Sequence, residues 1–344
     1  MSQACPLISV VVVNWNRENL LRACLGSLRS QTFNDFELIV VDNGSTDGSR
    51  DAQSDGAFPG ARWILNSANR GFCAAANQGI AAARGRYVAF LNNDAEAEPD
   101  WLSALNDAIE SHPDIGMVAS KIVAWDDRGM IDKAGHLIYP DGQNRGRGSG
   151  EQDYGQFDRV EEVAWPDGCA ALYRREMLDS TGGFDEDFFA YADDAELGLR
   201  GQLAGWRCLY APRAVVSHRL GGTLGRFSEQ RLFLIERNRV WLVAKLFPWS
   251  LLLRSPIYFG LRVLASAPAM LCGRGEAGLA TQRMGAFRLI RCFVKAQAAA
   301  LAGLPAMLRK RRGIEKFRKL SPAELRGVLR RFRIPLSDLV WKAR

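Results

Sequence analysis

The chain lacks the pattern of a disulfide scaffold. Its seven cysteines are odd in number, irregularly spaced and include no C-x-x-C pair, which excludes a disulfide framework and points to a reducing cytosol. Their expected role is that of small buried hydrophobes. A secretory leader is also missing from the reading: the apolar stretch Leu7–Val13 is short, has no basic residues before it and ends in Asn14-Trp15-Asn16-Arg17, so it reads as a buried strand. No charge-free apolar run reaches the roughly 18 to 20 residues needed to span a bilayer. Internal repeats and low-complexity tracts are absent.

Acid is scarce in one part of the chain. Residues 219–344 carry 26 Lys+Arg and 6 Asp+Glu, whereas residues 1–218 carry 19 and 32. The net charge of +7 therefore hides an acidic first part and a strongly basic second part, which suit different partners. The basic part is too apolar for a nucleic-acid arm, with Leu251-Leu252-Leu253, Ile257-Tyr258-Phe259 and Ala298–Leu308. Arg254, Arg262, Arg288, Arg291 and Lys295 interrupt it, as in helices that lie in a membrane interface with basic groups snorkelling outward. An anionic membrane surface is the expected partner and nucleic acid is not. The alternative is a helical subdomain or a homo-oligomer interface.

Length fits one large α/β domain with an appendage: residues 1–245, then a basic, apolar helical extension over 246–344. Leu7–Val13, Glu37–Val41, Arg62–Leu65 and Tyr87–Leu91 have the short apolar pattern of strands, and Leu20–Arg29, Ser49–Gln53 and Ala74–Ala83 that of the helices between them. This βαβ succession predicts a mainly parallel sheet. Further on, Trp101–Glu110 and Ala190–Ala204 read as helices, and Gly116–Ala119, Glu162–Trp165, Arg207–Tyr210 and Ala214–Ser217 as strands. The glycine-rich run Asp141–Asp153 reads as a mobile surface loop.

Ligands of such sheets sit beyond the carboxyl ends of the strands. The residues there are Asn14 and Asn16, Asp42-Asn43-Gly44-Ser45, and Asn92-Asn93-Asp94. Cleaving a sugar from a nucleoside diphosphate needs a hard cation and donors for the developing charge, and Asp94 is the natural ligand. A neutral imidazole at His218, before Gly221-Gly222, could complete the sphere. An attacking hydroxyl needs a carboxylate to take its proton, which Asp193 or Asp194 could supply. Plain structural roles compete for each residue: a turn at Asp42, a helix cap at Asp94, a solvated helix start at Asp193, Asp194 and Glu196, and a strand-end hydrogen bond at His218. His112 and His136 are expected to be structural.

Seven segments together resemble a family-2 glycosyltransferase of the GT-A fold, rhamnosyltransferase-like: VVVNWN, VDNGSTDGS, NRGFCAAANQG, FLNNDAE, GCAALYRRE, GGFDEDFFAYADDAELGLR and a later histidine followed by glycines. They run through most of residues 7–245. The resemblance implies a Rossmann-like mixed sheet flanked by helices and a nucleotide-diphosphate sugar donor, thymidine- or uridine-linked, with rhamnose the first sugar implied. It further implies Mg²⁺ or Mn²⁺ and an inverting reaction. Asp42 would contact the base or ribose, with Asn14 and Asn16 completing that pocket. Asn69 and Arg70 would line the donor site, and Gly71 would let the next helix start close to the nucleotide. Asn93 belongs to the metal motif, Asp94 and His218 would be the metal ligands, and Asp194, preceded by Asp193, the general base.

Two departures stand out: the metal motif opens on Asn92 rather than an acid, and the usual Glu before the base is Asp193, which leaves both aspartates open for that role. Gly182-Gly183-Phe184-Asp185 would lie beside an acceptor groove that Trp165 and Asp167 also line. The acceptor would be lipid-linked or a cell-envelope glycan, at the inner face of the cell membrane. Two other readings are weaker. Nucleotidyl transfer wants a glycine-rich basic loop after the first strand, which is missing, and a scaffold without turnover has no need of Asp94, Asp194 and His218 together.

Overall fold

The computed structural model describes residues 5–219, 225 and 227–342. Its first strand, β1 (Ile8–Asn14), forms because ISVVVVN is a β-branched run that can be buried on both faces, and Ile8, Val10, Val11 and Val12 are fully buried. The strands β2 (Phe36–Asp42), β3 (Arg62–Leu65) and β4 (Tyr87–Leu91) join it in parallel in the order β3-β2-β1-β4. The register sets Asn14 opposite Asp42. Helices α1 (Glu18–Arg29), the short α2 (Asp51–Ser54) and α3 (Phe72–Ala82) are the crossovers.

Beyond β4 the sheet becomes mixed. The short β5 (Ala95–Ala97) and helix α4 (Trp101–Glu110) lead to the long β6 (Ile115–Ala124), then β7 (Met130–Lys133), β8 (His136–Ile138), β9 (Asn144–Gly146), β10 (Glu151–Gln152), β11 (Glu161–Glu162) and β12 (Ala170–Arg174). β12 inserts antiparallel between β4 and β6. After helices α5 (Arg175–Thr181) and α6 (Asp193–Leu203), β13 (Arg207–His218) runs parallel to β6 and antiparallel to β5. Two strands expected from the sequence, Arg207–Tyr210 and Ala214–Ser217, are thus one strand with a register shift between Ala211 and Val215. The mixed α/β architecture with a helical C-terminal region is the expected one.

Each sheet face has its own core. Leu21 and Leu25 of α1 with Trp101 and Leu105 of α4 cover one, and Cys73, Ala75 and Ala76 of α3 with Leu197 and Leu199 of α6 cover the other. Cys24, Cys73, Cys169, Cys208 and Cys292 are buried and unbridged.

Residues 141–153 differ from the mobile loop the glycines suggest. They contain β9 and β10, and Asp141, Arg145 and Ser149 are buried. Arg145 donates to the carbonyls of Asp338 and Lys342, and Asp141 accepts from Arg262. Charged groups spaced along a glycine-rich run have found partners distant in sequence, which composition cannot reveal.

The C-terminal helices are α7 (Glu229–Leu246), α8 (Trp249–Leu252), α9 (Ser255–Leu271), α10 (Gly275–Met284), α11 (Ala286–Ile314), α12 (Pro322–Arg331) and α13 (Leu336–Trp341). Buried contacts hold them to one another and to the sheet domain. Arg311 of α11 donates to the carbonyls of Ala244 and Phe247, and Trp241 of α7 donates to the carbonyl of Ala300, whereas Lys245 and Lys310 both reach across to Asp185. Their outer side stays apolar and exposed, with Leu253, Ile257, Leu264, Leu271, Phe287 and Val294 open to solvent. Among the described residues α11 is long and apolar enough to cross a membrane, with a mean hydropathy of 1.2; the bent pair α8–α9 and α10, at 61°, also passes as one broken span.

Candidate active site

Strand ends meet in a cleft of about 300 Å³ whose walls include Asn93, Asp94, Asp193, Asp194 and His218. Two strand pairings bring its metal-type residues together. His218 pairs with Ala95, and the Arg219 amide donates to the Asp94 carbonyl at 3.0 Å, so Asp94 sits beside His218 despite their distance in sequence. A register shift between β6 and β7 then turns Asp132 toward β13, and its Oδ2 lies 2.8 Å from His218 Nδ1.

That contact leaves Nε2 of His218 facing Asp94, 3.5 Å from Oδ1. Asp94 Oδ1 is buried and has no hydrogen-bond partner among the described residues. An orphaned carboxylate oxygen beside an imidazole whose other nitrogen is held by a carboxylate is the donor set of a divalent-cation site. The residues present fit one. Burial alone would lower the His218 pKa, but Cys169, Asp132 and Asp94 around it reverse that and hold it well above its usual value, so cation and proton compete for the same nitrogen. Gly221-Gly222, expected beside His218, lie outside the described residues.

The carboxylates open α6. Phe189, Tyr191 and Ala192 all have positive φ, at 66°, 67° and 57°, a conformation unfavourable for residues with a Cβ. For this reason α6 begins at Asp193 rather than at Ala190. The strained turn is held from outside: Asn238 of α7, fully buried, directs its side-chain amide at the carbonyls of Phe188 (2.9 Å), Ala190 (2.8 Å) and Tyr191 (2.7 Å). Arg237 adds hydrogen bonds to the carbonyls of Asp187 and Phe188.

Asp194 lines the cleft with its Oδ1 on the Ala195 amide at 2.7 Å and its Oδ2 3.5 Å from His136 Nε2. His136 in turn lies 2.9 Å from Asp167, which pairs with Lys133 at 2.8 Å. Burial, first, and the neighbouring Asp167 raise the Asp194 pKa against the pull of His136. Asp193 is pushed well up by burial and by Asp194, whereas Lys133 and His136 overcome burial at Asp167 and hold it well below the usual range. His136, Asp167 and Asp194 present ligand atoms within 4.8 Å of one another, a spacing that would also admit a cation. Lys133 already supplies positive charge there, so the group reads better as a support for Asp194. His136, expected to be structural, is thus at the cleft. The only sequence signal for it is the polar cluster Asp132-Lys133-x-x-His136 inside an apolar stretch.

The nucleotide-side residues form a fixed network. Asn14 donates to Asp42 and Ser45 at 3.1 Å each, Asn93 donates to Asn14 at 2.7 Å, and the Thr46 amide donates to the Asn16 side chain at 2.8 Å. Asp42 is fully buried, with Arg50 and the Ser45 amide on Oδ1. It stands behind the cleft wall rather than on it, because its carboxylate is consumed in shaping the following turn. Asn43 and Asn69, hydrogen-bonded at 3.0 Å, line the cleft; Arg70 is exposed outside its lining. Gly71 has φ +86°, and a Cβ there would meet the Phe189 ring, so the α3 start and the strained turn require a glycine at this contact.

Trp165 and the Gly182–Asp185 segment, both expected at the groove, lie elsewhere. Trp165 is fully buried and stacks beneath His136, their ring centres 5.6 Å apart. Phe184 packs against Phe72 and Phe90, and Asp185 pairs with Lys245, so the Gly182–Asp185 segment joins the core to α7 instead of lining the cleft. Asp167 does line it.

The profile of glycosyl transferase family 2 matches residues 9–182, and the chain belongs to that family. The N-acetylglucosaminyl-diphospho-decaprenol L-rhamnosyltransferase of Mycobacterium tuberculosis is 28% identical over 284 residues, spanning 71% of this chain and 89% of that enzyme. Protein y4gI of Sinorhizobium fredii is 30% identical over 242 residues, 65% of this chain but only 25% of its own length. Among solved structures, the mannosyltransferase PcManGT from Pyrobaculum calidifontis, in complex with GDP-Man and Mn²⁺, superposes with a TM-score of 0.53 at 20% identity, covering 92% of this chain and 86% of that one. GalNAc-T7 with UDP, GalNAc and Mn²⁺ gives 0.57 at 17% identity over 71% of this chain and 48% of its own. The fold is that of GT-A glycosyltransferases, and the chain is a glycosyltransferase.

Proposed function

We propose that this glycosyltransferase moves a sugar from a nucleoside diphosphate to a hydroxyl of a lipid-linked or polysaccharide acceptor of the cell envelope, with inversion. The reading rests on one observation above all: Asp94 Oδ1, buried and without a hydrogen bond among the described residues, faces at 3.5 Å a histidine that Asp132 orients, and Asp94 shares a cleft with Asp194. Asp94 and His218 would hold Mg²⁺ or Mn²⁺, which when bound neutralises the diphosphate. Asn43 and Asn69 present polar side chains to the donor, while Asp42, Asn14 and Asn93 keep the turn that carries Asn43 in place.

Asp194 takes the proton of the acceptor hydroxyl as that oxygen bonds to the anomeric carbon and the bond to the diphosphate breaks. A proton affinity raised by burial suits a base working near neutral pH. Asp193, more deeply buried, stays in reserve as the less accessible of the pair. The relative that is an L-rhamnosyltransferase supports rhamnose as the transferred sugar, with thymidine- and uridine-linked donors the two alternatives. The exposed apolar side of α9 and α11 supports work at the inner face of the membrane.

The test is a donor panel with Mg²⁺, Mn²⁺ or chelator, comparing wild type with Asp194→Asn. Cation-dependent release of one nucleoside diphosphate, lost in the variant, is expected. Undiminished turnover by Asp194→Asn would remove the base assignment.

A further inference from the structure

His136 stands between two carboxylates. Its Nε2 lies 2.9 Å from Asp167 Oδ2 and 3.5 Å from Asp194 Oδ2, and all three residues line the catalytic cleft. Nδ1 is buried and has no hydrogen-bond partner among the described residues, so in the neutral ring the proton sits on Nε2, where an acceptor meets it. Asp167 is the better acceptor. Its Oδ2 also takes Lys133 Nζ at 2.8 Å, and its Oδ1 takes the Cys169 amide at 2.8 Å. The longer contact to Asp194 is at the limit of a hydrogen bond. Trp165 fixes the spacing: its indole stacks on the His136 ring with 14° between the planes, and a Cβ at Gly198, one turn beyond Asp194 on α6, would collide with the same Trp165 side chain. Imidazole and catalytic helix therefore rest on one support.

We propose that His136 is a positioning residue for the base: its Nε2–H, committed to Asp167, keeps the two carboxylates apart and holds Asp194 in place without a hydrogen bond close enough to weaken it as a base. The inference rests on Asp194 being that base and goes beyond it by naming what sets its strength. The charged and titratable groups facing Asp194 are His136 of β8, Lys133 of β7, Asp167 before β12, Tyr173 of β12 and Asp193 on its own helix. Burial, first, and Asp167 raise the proton affinity of Asp194, while His136 and Lys133 lower it. His136 and Asp167, bonded to each other, thus act on Asp194 in opposite senses. Without the N–H of His136 the two carboxylates face each other bare, and Asp194 keeps its proton to higher pH. Without the charge of Asp167 it releases the proton at lower pH. Loosened packing has no such sign.

The experiment titrates the Asp194 carboxyl by carbon NMR on aspartate-labelled protein in Mg²⁺, which needs no substrate, beside kcat against pH for the sugar nucleotide that the donor panel selects. The Asp194 resonance is the one missing from Asp194→Asn. His136→Phe keeps a ring on Trp165 but has no proton to give, and it should cut plateau kcat at least about tenfold with donor KM within a factor of about three. Its carboxyl titration and the acid limb of its kcat profile should both move up by about one pH unit, and those of Asp167→Asn down by about as much. His136→Gln, which can place an amide N–H near the position of Nε2, should restore kcat to within a factor of about three. Unmoved carboxyl titrations, or shifts of one sign in both variants, overturn the inference, as does a normal kcat in His136→Phe. Asp167→Asn is nearly isosteric and decides the matter if His136→Phe fails to fold, since its carboxyl titration has to fall. Failure of the base reading shows separately, as opposite carboxyl shifts with an acid limb that stays put and an Asp194→Asn variant that still turns over.

Discussion

The side-chain amide of Asn238 lies 2.7 Å from the carbonyl of Tyr191, and through this contact the helix at the edge of the C-terminal region controls the start of the helix that carries Asp194. The turn between them holds three non-glycine residues at positive φ, which persist only where surrounding structure over-determines them. Asn238 is such a determinant, reached from α7 and supported by Arg237.

Asn238→Leu should therefore act on catalysis more than on donor binding. Three carbonyls lose a buried donor, a cost of about 1–3 kcal/mol, and α6 is released from its set position. We expect kcat to fall at least about tenfold with donor KM within a factor of about three, and thermal unfolding to come earlier. A normal kcat would mean that the turn holds itself.

Asp132 orients His218 without facing the donor. Asp132→Asn keeps the shape but weakens the pull on Nδ1, and loss of such an outer partner usually costs about 10–100-fold in metal affinity. A Mn²⁺ titration of activity should shift by that amount. Asp94→Ala should do more and weaken nucleoside diphosphate binding in the presence of cation.

Lys245 bridges Asp185 and Glu196, both buried, at 2.6 Å each. Lys245→Met removes one of the two cations on each acid, leaving Lys310 on Asp185 and Arg200 on Glu196, and should cost less than the about 3–5 kcal/mol of a fully broken buried pair. Burial raises the Glu196 pKa, but Arg200 and Lys245 outweigh it and the net shift is downward. Its contribution to stability is therefore present above the unfolded carboxyl value, about 4.3, and lost as pH falls through the lower folded value. Denaturant midpoints of wild type should decline on acidification below about pH 4.3, and Glu196→Gln should show a shallower decline over that window.

Membrane attachment is tested on the surface and not by truncation. Cutting after residue 245 would expose Trp241 and the core contacts of Arg311, so its outcome would mix unfolding with release. Replacing Leu264, Phe287 and Val294 together by Asp removes exposed apolar side chains without touching the core. The variant should no longer float with anionic phosphatidylglycerol vesicles, while keeping its melting temperature within a few degrees.

Much of the architecture was legible along the chain because its signals are local. The β-branched run at Ile8–Asn14, the turn residues after Asp42 and the alternation of apolar strand and amphipathic helix each arise from neighbouring side chains. Asp94, Asp194 and His218 could be singled out because motifs surround them. Composition alone reads residues 141–153 as a loop, because their partners Arg262, Asp338 and Lys342 lie far along the chain. Asp42 was expected on the nucleotide surface, but only folding put Arg50 and Ser45 on its carboxylate.

By itself, then, the sequence determined a mixed α/β domain with acids at strand ends and a basic, apolar tail, since periodicity and charge are properties of nearby residues, and its motifs carried the resemblance to glycosyltransferases. Tertiary structure alone decided that His136 supports Asp194, that Asp132 holds His218 and that Asn238 clamps the turn before α6. Each depends on strand register or helix docking between segments far apart in the chain, and no local pattern encodes where such segments meet.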